Sequence, residues 1–214
     1  MPLTLHIHAL VAALADGRVE EVIEECTAAE LANPFSPLGD VALVLMAAHV
    51  VKGDLTGARY VVKRCVANDG DDDARTGAGA GENQVPVDPR LKALADVSAA
   101  LHSESFADAH AALAGLTWDG DVEALPAVVI QALRSAAKSA MVAAFEVVAV
   151  ARAAAMLGLD NDAAMTELVA SGWTLSDNGA FLTPPEATKD STLAPSQSKQ
   201  IAQLTQAVLD LETL

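Results

Sequence analysis

The chain has 214 residues, 52% of them hydrophobic and 3% aromatic, so its core must be aliphatic and alanine-rich; at this length folding hides roughly 70% of the surface without a metal or disulfide staple. Thirteen Lys and Arg against 29 Asp and Glu leave a formal charge of −16, whose field repels phosphate backbones and anionic lipid, so nucleic acid and membrane are poor partner classes for it. Cys26 and Cys65 are far apart without a CxxC pattern, which fits a reducing compartment and a soluble, intracellular, mainly helical protein.

Apolar residues at three- and four-residue steps predict antiparallel helix pairs in the first third. A helix is expected over 3–15 with Asp16-Gly17 as its turn. In the next, Val19, Val22, Ile23 and Cys26 share one face and Glu20, Glu21, Glu24 and Glu25 a solvated one, with Asn33-Pro34 as its stop. A buried helix over 38–51 and an amphipathic one over 55–66 follow, separated by Lys52-Gly53-Asp54. The DG and KGD turns form a weak internal repeat, and hairpins of this kind bury their apolar faces only by stacking as a solenoid. Residues 1–67 are therefore assigned to helical hairpins, and the acidic, Gly-rich stretch 68–90 to a flexible loop. A further hairpin is expected over 91–118, with Leu91, Leu94, Val97 and Leu101 on one face and Ser105 capping its second helix.

After the Asp119-Gly120-Asp121 break, Pro126 opens a long helix that places Val129, Leu133, Ala137, Met141 and Phe145 on one stripe. A short strand (147–150) comes next, then a helix (151–157) stopped by Gly158 and another capped by Asp160 that runs through Ala170 and is stopped by Gly172. Trp173 to Thr183 reads as a β-hairpin turning on Asn178-Gly179. This order is that of a winged helix, spanning 119–185. A polar linker (186–197) then leads to a last helix (198–214) with Ile201, Leu204, Val208 and Leu211 at heptad spacing. The fold class is all-α with a small β-hairpin.

Neither an exported nor a membrane-spanning form is expected. The first basic residue, Arg18, follows the first apolar stretch, and Lys138, Glu146 and Arg152 interrupt the Ala-rich run 136–159. DNA binding is the habitual use of a winged helix, but no Lys or Arg occurs from Ala153 to Thr188, while Asp160, Asp162, Glu167 and Asp177 do. His6 and His8, with Asp16, mimic a zinc set in letters only, since residues two apart on a helix face different ways. Gly77, Gly79 and Gly81 have no strand before them and no helix directly after, so they make no nucleotide loop. The two cysteines fall on apolar helix faces, with no plausible His partner. No catalytic, cofactor-binding or metal residues are expected.

A helical-repeat stretch entering an acidic winged helix and a terminal heptad helix resembles the PCI-domain family, shared by the proteasome lid, the COP9 signalosome and initiation factor three. GDLTGARYVVKR, the ALRSA helix at Ala132, AAMLGLDNDAAMTELVASGWTL and QIAQLTQAVLDLETL are most similar to the subunit 8 line of the signalosome, over residues 40–214 and best over 116–183. The resemblance implies a noncatalytic scaffold subunit of a nuclear and cytoplasmic complex that removes a ubiquitin-like modifier from cullins and regulates cullin-RING ubiquitin ligases, the catalytic zinc lying in another subunit. Its partners would be the other PCI and metalloprotease-like subunits. Interaction is expected through Trp173, Leu175 and Phe181 of the hairpin and through Ile201, Leu204, Val208 and Leu211. The k subunit of initiation factor three and the small PCI subunit of the proteasome lid are the alternatives, with a DNA-binding regulator as the reading from a different class.

Overall fold

In the computed structural model, which describes residues 6–32, 39–68, 88–176 and 178–185, helices α1 (Ile7–Ala15) and α2 (Val19–Ala32) pack on α3 (Gly39–Lys52). Gly17, at φ +81°, supplies the left-handed turn residue between the first two. On α2 only Val22 and Cys26 are buried, as the two-faced pattern requires. α3 buries eight residues, from Ala42 to Val50, because it contacts α1, α2, α4 (Leu55–Asn68), α5 (Pro89–His102) and α7 (Leu125–Ala144). The stacking is thus not purely sequential: a one-dimensional repeat confines each unit to its neighbours.

Several expected boundaries shift. α1 starts at Ile7, and the first five residues lie outside the described ones. α5 begins at Pro89 rather than Leu91, because the Asp88 side chain accepts from the Arg90 backbone N–H at 2.8 Å and Pro fits the first turn. Arg90 also bridges Asp88, Asp40 and Asp119, joining three segments. α6 (Phe106–Leu113) completes the pair with α5, and a 3₁₀ turn (Gly120–Val122) precedes α7.

α7 buries Leu125, Val129, Leu133, Ala137 and Met141, the stripe read from the sequence; Phe145 falls just beyond it, in extended backbone at φ −130° and ψ 137°. Leu125 to Leu133 belong to the core of α1–α6, whereas Ala137 and Met141 belong to a second core. The break at 119 therefore does not separate the two cores, since one helix of 20 residues, about 30 Å long, serves both. By length and composition Gly120–Ala144 passes for a membrane span. Yet its apolar stripe packs inward, Arg134 Nε donates to the Leu157 carbonyl at 3.1 Å, and Lys138 pairs with Glu167 at 2.7 Å.

The second core gathers Val148 and Leu182 of a three-stranded antiparallel sheet, Trp173, α8 (Val150–Leu157) and α9 (Asn161–Ala170). Val150, expected in the strand, opens α8 instead. β3 (Phe181–Thr183) is central, between β1 (Val148–Ala149) and β2 (Thr174–Leu175). Gly158 ends α8 at φ +63°, and a Cβ there would stand 2.5 Å from the His110 ring of α6, so this position takes glycine for two reasons. The Asp160 side chain caps α9 at the Ala163 N–H, 2.7 Å away, as its position predicts.

Candidate protein-interaction surface

Thr174 pairs with Thr183 and Leu175 with Leu182, so Asn178-Gly179 sits at the centre of the hairpin register. The turn is not the two-residue type expected. Ser176 N–H donates to the Phe181 carbonyl and Gly179 N–H to the Ser176 carbonyl, each at 2.9 Å, and of Asn178 and Gly179 only the glycine has positive φ, +68°. Asn178 works instead through its side chain, whose Oδ1 accepts from Ser176 Oγ at 2.6 Å and from the Ala180 N–H at 3.2 Å.

Trp173 is 4% exposed and packs inward with Leu182 and Val148. Leu175 and Phe181 are 43% and 44% exposed. Of the three hairpin residues named for interaction, Trp173 is thus turned into the core with Leu182, and Leu175 and Phe181 stay open to solvent. For Leu175 the reason is place in the sheet, since β2 is an edge and both its residues face solvent although Leu182 opposite is buried; Phe181, on the central β3, alternates with Leu182 and so faces away from the core. Val147 and Val169 add two more exposed aliphatic side chains beside β1 and on α9. Sequence reading missed them. Strand alternation against the buried Val148 marks Val147, but Val169 adjoins the buried Leu168 and has no comparable sign. Apolar side chains and an edge strand with open N–H and C=O groups suit pairing with another polypeptide. Ile201, Leu204, Val208 and Leu211 lie outside the described residues.

The other chemistry considered in the sequence separates in space. His6 precedes α1 as its cap residue, His8 is exposed on the helix, and among the described residues no group of three His, Cys, Asp or Glu is placed to hold a metal. The Cys26 thiol is pushed up to about 12 by burial first, then by Glu25 and Glu30, which keeps it protonated at neutral pH. Glu20, Glu21, Glu24 and Glu25 of α2 are exposed, and Glu20 reaches Lys52 at 2.9 Å; the part-buried Glu30 reaches Arg64 at 2.7 Å. These are ties between helices rather than a site.

Paired helices leading into a small sheet with an apolar edge define a PCI-type subunit, a protein whose work is done by surfaces shared with other chains. Residues 40–192 match the model of the CSN8/PSMD8/EIF3K family, and the chain belongs to that family. No curated protein matches the sequence.

Proposed function

We propose that this chain is a noncatalytic scaffold of the COP9 signalosome, in the position of subunit 8, supporting cullin deneddylation and the regulation of cullin-RING ubiquitin ligases in nucleus and cytoplasm. The observation that carries the proposal is the order of elements from α7 to β3, which we read as a winged helix following stacked helical pairs, within the family match. The sequences of 154–175 and 200–214 favour the signalosome over the proteasome lid and initiation factor three. The hairpin would meet a neighbouring PCI subunit through Leu175 on its edge strand and the exposed Phe181, and Ile201, Leu204, Val208 and Leu211 would enter a bundle with helices from other chains. DNA is disfavoured by charge: the hairpin and α9 contain no Lys or Arg.

Purification of the tagged chain from its own cell, followed by mass spectrometry of the co-purifying subunits, tests the assignment because the three complexes differ in membership. Recovery of PCI subunits with a metalloprotease-like subunit and cullins is expected. Recovery of proteasomal ATPases or of ribosomes instead would reassign the chain within its family.

A further inference from the structure

Between α4 and α5 runs an open groove of about 570 Å³. Its walls are apolar, with Leu55, Val62, Ala95 and Ala99 along them and the buried Met46 beneath. Its rim carries two cations, Arg59 and Lys63, beside His102, and no lining residue is acidic. That is anomalous in a chain of charge −16. α4 has three basic residues and no acidic one; Arg64 is engaged by Glu30, whereas Arg59 and Lys63 have no carboxylate partner among the described residues. Tyr60 stands on the same rim, 57% exposed, with Lys63 Nζ 5.8 Å from its ring centroid. An exposed aromatic held beside a cation over an apolar trough is costly to leave in water and productive to cover.

We propose that this groove docks an acidic amphipathic helix of a partner protein, with aliphatic side chains on Leu55, Val62 and Ala99 and carboxylates at Arg59 and Lys63. A helix laid along two neighbouring helices matches the groove's form, and its charge complements the rim. RNA fits less well, since two cations over an apolar floor neutralise too few phosphates against the field of the remaining chain. The proposal does not depend on which complex the chain joins, and it concerns a different surface from the hairpin.

The test is fluorescence anisotropy on the full chain. Its probe is a labelled peptide of about 18 residues with Leu at i, i+3, i+4 and i+7 and Glu elsewhere. A matched peptide with Lys in place of Glu and a labelled oligouridine serve as the other arms. Saturable binding of the Glu peptide is expected, weakened about tenfold or more by Arg59→Glu with Lys63→Glu and by Ala99→Trp, which fills the trough. The Lys peptide should not bind. Arg59 and Lys63 are exposed, so the charge variant keeps the fold and is decisive even where Ala99→Trp does not. No saturable binding, binding indifferent to the charge variant, equal binding of the Lys peptide, or tighter binding of oligouridine would each overturn the proposal. Loss of co-purifying subunits on altering the hairpin bears on the scaffold reading alone.

Discussion

Trp173 and Phe181 stand at opposite ends of one hairpin and divide its two tasks. Trp173, buried among Val148, Leu168 and Leu182, holds the sheet on its helices, and Trp173→Ala should cost about 3–5 kcal/mol, read as a lower midpoint in urea. Phe181 and Leu175 are half exposed, so changing both to Asp should shift thermal unfolding by only a few degrees while partners are lost from pull-downs. A Phe181→Asp chain that unfolds would place that ring in the core after all. His110 offers a pH test. Burial against α8 holds its pKa below the ordinary 6.5, with the charge of Arg134 acting the same way and the Met156 carbonyl opposing. A histidine kept neutral by the fold contributes stability that is complete above its unfolded pKa and is lost as pH falls below about 6.5. Chemical denaturation at pH 7.5 and 5.5 should therefore show a larger loss for the native chain than for His110→Gln. An equal loss in both would remove His110 from the account.

Among the elements, α7 has the widest reach. Because Leu133 seats its first half in one core and Met141 its second half in the other, neither core is complete without it. Leu133→Ala should cost about 2–5 kcal/mol, and the tryptophan signals of Trp118, beside the first core, and Trp173, in the second, should move together in denaturant. Separate transitions for the two would show that α7 does not couple them. α9 depends on a smaller device, the Asp160 cap, whose replacement by Ala should cost about 1 kcal/mol.

At the scale of the whole molecule, assembly is expected to rest on surfaces that folding does not use. Four aliphatic side chains at heptad spacing, Ile201, Leu204, Val208 and Leu211, could contribute about 6–12 kcal/mol in a bundle before ordering costs. Deleting residues 198–214 should leave the melting temperature of the free chain nearly unchanged while co-purification of subunits falls. A truncated chain that aggregates where the intact one does not would put the segment in this protein's own core.

The helices themselves were legible in the sequence, since their periods, the Asp160 cap, the Gly158 stop and the α7 stripe are local matters of spacing and backbone preference. So was the absence of cations from 153 to 188, and with it the case against DNA. Which helices touch was not legible. That α3 would meet five others, or that α7 would join two cores, depends on contacts between residues distant in the chain, which no window of sequence records. The same holds for the surface. Trp173 and Leu175 carry the same apolar signal, yet one is buried and the other exposed because β2 became an edge. The basic groove appears only when α4 is set beside α5, for in sequence an acidic stretch divides them and the sum of charges hides the local excess. Hydrophobic period determined the elements; burial, decided by what finally lies against each face, belonged to the tertiary structure.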